Sequence, residues 1–287
     1  MPELPEVEIV KQSLVRKIKF QKIKKVLIRN RNLRFKIPKN FEYFLIGKKI
    51  NNISRISKYL VFHLNNKTFF TIHLGMSGTI HLIGKKKNFK NTNTSFYSSS
   101  DLPKKHNHII IFFKKYNFIY NDPRRFGFIK IIKNKKDLSF YFNDMGPEPL
   151  NDKFNTKYIS NYLKKKNKNV KSFLLDQKFV SGIGNIYANE ILHFSKINPS
   201  KKAKKINKTE IKNIKYFSKL VLNKAIKKGG SSIRNFKNAK GQSGSYQNEF
   251  KVYNRENLGC LKKNCFGKIK KEIISQRSTF FCNSCQK

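Results

Sequence analysis

The chain opens Met1-Pro2-Glu3-Leu4-Pro5-Glu6-Val7-Glu8. Removal of Met1 makes Pro2 the N-terminus, and a terminal proline is a secondary amine, a nucleophile obtained without any side chain. Free α-amines have pKa values of roughly 7.7–8.0, so an unprotonated fraction exists near neutral pH. A carboxyl one residue on, Glu3, can move the protons that Schiff-base chemistry requires. Three of the chain's 16 acids stand in these eight residues, against 63 bases overall. A helix start accounts for part of the segment. Pro5 suits a first turn, acids favour the positive end of the helix dipole, and Val7, Val10, Leu14 and Ile18 fall on one apolar face. That helix gives no reason for Pro2-Glu3.

Four cysteines form the second group with chemical potential. Cys260, Cys265, Cys282 and Cys285 are spaced C-x4-C-x16-C-x2-C within the last 28 residues. Two close pairs joined by a short hairpin can converge on one tetrahedral ion, which suits structural zinc. Disulfides are the rival, but cysteines confined to one end of a cytosolic-looking chain argue against them. A module so small buries little core, so metal ligation would set its fold. Gln276-Arg277-Ser278-Thr279-Phe280 lies between the pairs and places an arginine on the hairpin, within reach of a phosphate.

The elements that must position these groups change character along the chain. After the opening helix, Lys25–Arg29, Tyr59–Leu64, Phe69–Leu74, His108–Phe113, Phe118–Asn121 and Phe126–Ile132 read as strands, rich in β-branched and aromatic residues. The Asn/Ser/Thr/Lys stretch from Lys85 to Ser100 reads as a long surface loop. Gly and two prolines near Asp144–Pro149 mark a boundary. From Lys153 to Lys228 the period is helical, as in Ile211, Ile214, Phe217, Leu220, Val221 and Leu222. Gly, Ser, Asn and Lys dominate 229–249, which suggests a mobile loop. The fold expected is α+β: a β-rich catalytic domain over 1–134, a linker over 135–152, a helical domain over 153–228, a flexible loop over 229–250 and a cysteine module over 251–287.

A formal charge of +47 makes a polyanion, most commonly nucleic acid, the default partner. The 53 lysines against 10 arginines, with abundant Asn, Ile, Phe and Tyr and no Trp, are a composition favouring residues whose codons are rich in A and T, so mutational bias could supply much of the lysine. The sign of the charge therefore informs more than its size. The start lacks a charged region followed by a long apolar stretch, and no run approaches the ~18–20 apolar residues of a membrane span. The expectation is a soluble cytoplasmic monomer with no membrane partner.

Several further stretches, in order, carry a resemblance. They are Pro2-Glu3-Leu4-Pro5-Glu6-Val7, Lys58-Tyr59-Leu60, His73-Leu74-Gly75-Met76-Ser77-Gly78 and Asp122-Pro123-Arg124-Arg125-Phe126-Gly127. Met145-Gly146-Pro147-Glu148-Pro149-Leu150, Gly182-Ile183-Gly184-Asn185-Ile186-Tyr187-Ala188, Val252-Tyr253 and Gln276-Arg277 with the cysteines follow. Together they resemble the bacterial formamidopyrimidine-DNA glycosylases, base-excision enzymes for oxidised purines, over almost the whole length. The resemblance implies a β-sandwich headed by an N-terminal helix, then helices with a helix–two-turns–helix motif and a zinc hairpin holding one structural Zn2+. It implies duplex DNA carrying oxidised purines or abasic sites as partner, hence association with a bacterial nucleoid.

Roles follow from the same resemblance. The Pro2 nitrogen attacks the sugar C1′ and forms an iminium, Glu3 protonates the ring oxygen, and Glu6 orients the helix. Lys58 matches the lysine near the damaged base, and Arg277 the hairpin arginine assigned to the later elimination. Met76, Arg124 and Phe126 match residues that fill the space of the everted nucleotide, as a thioether, a hydrogen-bonding cation and an aromatic wedge can. His73, His106, Arg124, Lys166 and Asn185 match DNA contacts. The loop at 229–250 corresponds to the region covering the everted base. Two departures stand out: C-x4-C where the family usually has C-x2-C, so that this knuckle must bulge, and Asn254 where glycine is favoured.

The endonuclease VIII branch, which prefers oxidised pyrimidines, is the nearest alternative; Leu4-Pro5, Met76 and the Arg124/Phe126 pair point to the purine branch. Intact Pro2, Glu3 and Lys58 argue against a non-catalytic DNA-binding descendant. A ribosome-like basic binder would explain charge and cysteines but not the N-terminus.

Overall fold

Leu4–Ile18 forms helix α1, and its apolar stripe explains why: Val7, Val10, Leu14 and Ile18 are completely buried, while Arg16 and Lys17 meet the negative end of the dipole. The computed structural model describes residues 1–84, 90–92, 104–231 and 244–287. The chain divides into two compact units, Met1–Asn143 with Lys228–Gln247, and Asp144–Lys227 with Asn248–Lys287.

In the first unit, α1 is followed by β1 (Lys25–Ile28), α2 (Phe41–Leu45), β2 (Ile50–Ile56), β3 (Tyr59–Leu64), β4 (Phe69–His73) and β5 (Thr79–Gly84). β6 (Lys90–Thr92), β7 (Asn107–Phe112), β8 (Tyr116–Asn121), β9 (Phe128–Ile132) and α3 (Lys135–Tyr141) complete it. Two antiparallel sheets result, ordered β1-β7-β8-β5-β6 and β2-β3-β4-β9. One core joins them to α1: Leu60, Phe62, Phe70 and Ile72 from one sheet meet Ile80, Leu82, Ile111 and Phe118 from the other. Phe62 and Phe70 stack with centroids 4.3 Å apart. Burying each such side chain contributes about 1.5–3 kcal/mol.

Three strands escape the sequence reading. β2 carries Asn51 and Asn52 on exposed positions, so its composition hides it. β5 follows directly on the Gly75–Gly78 turn. β6 lies inside the stretch expected to be a loop, pairing His81 with Thr92; the rest of that stretch lies outside the described residues. The last strand begins at Phe128 rather than Phe126, because Arg124–Gly127 is held as a loop. The 135–152 region contains α3, packed through Leu138 and Tyr141 on Val61, Phe69 and Ile132.

The second unit contains α4 (Thr156–Leu163), α5 (Val170–Leu175), α6 (Asn185–Phe194), α7 (Lys208–Lys227) and a hairpin of β10 (Ile269–Ile274) and β11 (Arg277–Cys282). Asparagines start two of the helices: Asn155 Oδ1 accepts the Tyr158 N–H (2.9 Å) and Asn169 Oδ1 the Ser172 N–H (2.8 Å). α7 buries Ile211, Ile214, Val221 and Leu222, whereas Leu220, grouped with them in the sequence, faces outward on the helix and is exposed.

Candidate active site

Pro2 is half-buried, and Glu3, 3% exposed, caps α1. The buried Glu6 fixes this end. Its Oε2 accepts the Glu3 N–H at 2.9 Å, while Oε1 accepts the N–H (2.8 Å) and hydroxyl (3.0 Å) of Ser231. Ser231 stands where the described part of the 229–250 region breaks off. Ser245 and Tyr246 donate backbone bonds to Lys228 and Gly230, so the two ends of that region lie side by side. Residues 229–231 and 244–246 are thus held together, with Tyr246 buried; residues 232–243 of the expected loop lie outside the described residues. A Cβ on Gly244 would come within 2.4 Å of the Gly230 oxygen, which explains glycine at the crossing.

Glu8 ties the helix to the turn bearing Lys58. Arg55 Nε donates to Glu8 Oε2 at 3.0 Å, and its NH1 donates to the Ser57 carbonyl at 2.9 Å. Ser57 sits at φ +55° and Lys58 is 7% exposed. Burial alone would raise the Glu8 pKa, but hydrogen bonds from Lys11 and Gln12 and the charges of Lys11 and Arg55 lower it below the ordinary value of 4.5. The group therefore contributes stability above that value, lost as pH falls through the depressed one. Glu8→Leu removes the carboxylate that accepts from Arg55 Nε and should cost about 1.5–3 kcal/mol in urea unfolding. Glu8→Leu with Arg55→Leu should cost less than Glu8→Leu alone; a larger loss would show that the pair is not the unit of stability.

His73 ends β4 and stacks on Phe128, with centroids 5.0 Å apart and rings inclined 14°. Its Nδ1 accepts the Gly75 N–H at 3.1 Å. Burial, then the charges of Lys58 and Arg34, lower its pKa to about 4. The ring is thus neutral at pH 7, with Nε2 carrying the proton and available as a donor. Beyond it, Met76 is 41% exposed at the tip of the β4–β5 turn. Phe126 is equally exposed in the β8–β9 loop, with the Arg124 guanidinium 4.6 Å from its ring centre. His106 closes a 3₁₀ turn, and burial followed by the charges of Lys105 and His108 lowers its pKa.

In the second unit, Asn185 is the first residue of α6, after Gly184 at the cap. Its side chain makes no cap bond; Nδ2 donates to the Ser278 carbonyl at 2.9 Å, one residue past the exposed Arg277. The turn before Arg277 places Ser275 and Gln276 at φ +52° and +58°, the hand a two-residue hairpin requires. Lys166 is exposed beyond α4, with its ammonium 5.9 Å from the Tyr162 ring centre.

Sequence reasoning missed two charged residues that hold this unit together. Lys171 is completely buried in α5, donating to Thr279 Oγ1 (2.6 Å) and the Ser278 carbonyl (3.2 Å). Glu190, also completely buried, accepts the N–H groups of Lys251, Val252 and Tyr253 at 2.9–3.0 Å. Burial raises its pKa, opposed by those amides. The available signal was a charge inside an apolar run, Val170-Lys171-Ser172-Phe173 and Ala188-Asn189-Glu190-Ile191.

The four cysteine sulfurs lie within 4.8 Å of one another, with Cys260–Cys285 at 3.9 Å and Cys265–Cys282 at 3.6 Å. A tetrahedral ion with ~2.3 Å metal–sulfur bonds sets its sulfurs about 3.8 Å apart, so the donor set fits one metal ion. The longer knuckle is accommodated by Asn264 at φ +58° and a bond from Cys260 N–H to the Gly267 carbonyl (2.8 Å). Asn254 adopts φ +56°, a conformation in which glycine is at ease and asparagine is tolerated.

Residues 1–129 match the family model described as the formamidopyrimidine-DNA glycosylase N-terminal domain, and residues 145–237 match its H2TH domain. That pairing defines the class, a DNA glycosylase of base-excision repair. Formamidopyrimidine-DNA glycosylases of Wolbachia from Brugia malayi and of Roseobacter denitrificans are 39% and 37% identical, covering all of both chains. A mutant of Lactococcus lactis Fpg in complex with DNA containing Fapy-dG superposes with a TM-score of 0.88 at 33% identity, over 100% of both chains. The same enzyme with abasic-site DNA gives 0.87, over 99% of each. The chain belongs to the formamidopyrimidine-DNA glycosylase family.

Proposed function

We propose that this glycosylase removes oxidised purines, 8-oxoguanine and formamidopyrimidines, from duplex DNA through the Pro2 nitrogen and then nicks the strand. The observation that carries the reading is Pro2-Glu3 at the start of α1, with the next carboxylate, Glu6, already committed to backbone and to Ser231. With Met1 removed, the Pro2 nitrogen is a secondary amine at the start of α1, the nucleophile of the reaction. It attacks C1′, and the base leaves with the proton that the secondary amine gives up; Glu3 then gives a proton to the ring oxygen as the C1′–O bond breaks and the sugar opens to an iminium. The cationic iminium acidifies C2′, and loss of that proton expels the 3′ phosphate; a second elimination, assigned to Arg277, expels the 5′ phosphate. Lys58 sits by the damaged base and flanking phosphate. Met76, Arg124 and Phe126 fill the vacated stack, where the exposure of all three suits insertion.

His73 as a neutral donor, His106, Arg124, Lys166 and Asn185 contact the DNA, Asn185 at a phosphate. Asn185 would exchange its bond to Ser278 for this, or offer the backbone amides of the α6 start instead. The 229–250 region covers the everted base, the described ends being its anchors. The cysteines hold one structural Zn2+; thiolate ligands in a tetrahedral set favour zinc. The enzyme works as a monomer in the cytoplasm on the bacterial chromosome.

Duplexes carrying 8-oxoguanine opposite cytosine or thymine glycol test the lesion class. Faster nicking of the 8-oxoguanine duplex is expected. Preferential nicking of thymine glycol would assign the chain's chemistry to oxidised pyrimidines instead.

A further inference from the structure

The three residues assigned to the vacated stack come from two separate loops, Met76 from residues 74–78 and Arg124 and Phe126 from residues 122–127. Neither loop has a core of its own, yet the three side chains must arrive together. A single buried carboxylate joins the loops. Asp122, with no exposed surface, accepts the Ser77 hydroxyl through Oδ1, and through Oδ2 the Gly127 N–H (2.8 Å) and the Tyr120 hydroxyl (3.1 Å). Ser77 Oγ in turn accepts the Arg124 N–H at 3.2 Å. The residue after Met76 therefore reads the backbone of Arg124, and Asp122 reads both Ser77 and the residue after Phe126.

The backbone of Asp122 is held as firmly. Its N–H donates to the His106 carbonyl (3.0 Å), and its own carbonyl accepts from His108 Nε2 (2.8 Å). The loops also approach too closely for side chains. A Cβ on Gly75, at φ +61°, would lie 2.4 Å from the Phe126 carbonyl carbon, and one on Gly127 1.8 Å from the Tyr120 hydroxyl. Buried hydrogen bonds to a carboxylate are about twice as strong as neutral ones and fix direction as well as distance.

From this we propose that Asp122, acting through Ser77, is a positioning residue that locks Met76, Arg124 and Phe126 into one rigid unit for insertion into the duplex. The proposal rests on the void-filling reading of those three residues. Asp122 touches neither substrate nor reacting atoms; its effect is confined to substrates with a stack to enter. An abasic site in single-stranded DNA has no partner base to be supported, and its aldehyde meets the Pro2 amine without insertion.

The test compares Asp122→Asn and Ser77→Ala with the parent enzyme in two assays. These are single-turnover excision of 8-oxoguanine opposite cytosine in a duplex, and borohydride trapping on a single-stranded abasic oligonucleotide. Asn keeps the shape but presents an N–H where Asp122 must accept, and Ala removes the link to Arg124. Duplex excision should fall about 10²-fold, the cost of a misplacement near 1 Å, while single-strand trapping is unchanged. Combining either variant with Met76→Ala or Arg124→Ala should add little further loss, because both changes disable the same unit.

Additive losses, parallel loss of single-strand trapping, or unchanged duplex excision by both variants would overturn the proposal. If Asp122→Asn does not fold, Ser77→Ala decides alone. Should Met76→Ala and Arg124→Ala themselves excise normally, it is the void-filling reading that has failed. Should they lose excision while Asp122→Asn and Ser77→Ala do not, it is the assignment of Asp122.

Discussion

Glu3→Gln is expected to lower excision of 8-oxoguanine by about 10²–10⁴-fold, the range for removing a positioned general acid. The physical ground is local. Glu3 is buried at the cap of α1, and its backbone N–H is already taken by Glu6, a bond the substitution leaves intact. Gln is isosteric, so the helix start survives and the loss falls on the chemistry. What disappears is the proton that must reach the ring oxygen when the sugar opens. A preformed abasic site already exposes an aldehyde to the amine. Trapping on abasic DNA should therefore suffer much less than excision. Single-turnover excision beside trapping measures the split; a loss under tenfold in excision would place the proton donor elsewhere.

Removal of the metal proposed for the four cysteines should have the second large effect. Among the described residues, the buried cluster beside the cysteines consists of Val252, Ile269, Phe280 and Cys282. At about 1.5–3 kcal/mol for each large apolar side chain, this burial is smaller than the ~10–16 kcal/mol associated with structural zinc in small modules. Stripping with a strong chelator should release one zinc ion per chain, disorder the β10–β11 hairpin and displace Arg277. Nicking and duplex binding should fall together, and zinc should restore both. The same loss is expected for Cys265→Ala, with metal content as the direct readout. Retained nicking after complete metal removal would separate the hairpin's fold from the ion.

The residues proposed to do the chemistry are easier to read in the sequence than the geometry that holds them. Pro2-Glu3 was legible because a helix start left it unexplained, and the cysteines because their spacing has few uses. Helix α1 and most strands followed from period and residue type, and the fold class from the collinear motifs. The pairings that fix the site were not legible. Arg55 lies 47 residues from Glu8, Asp122 lies 45 from Ser77, and Lys171 lies 108 from Thr279. Such contacts join common residue types through tertiary structure, with no local pattern to mark them. Lys171 was lost among 53 lysines; only burial distinguishes it. Glu8 read as a helix-start acid, and the structure adds its second task of holding the Lys58 turn.

The central claim is that an amine exposed by removal of Met1 forms the covalent bond. Chain with Met1 removed and chain with Met1 retained, each incubated with duplex 8-oxoguanine DNA and borohydride, test it most directly. The processed chain should give one covalent complex, with the linkage mapped to the peptide beginning at Pro2. The chain retaining Met1 should give none. Equal trapping by the Met1-bearing chain, or linkage mapped to a lysine, would contradict the account.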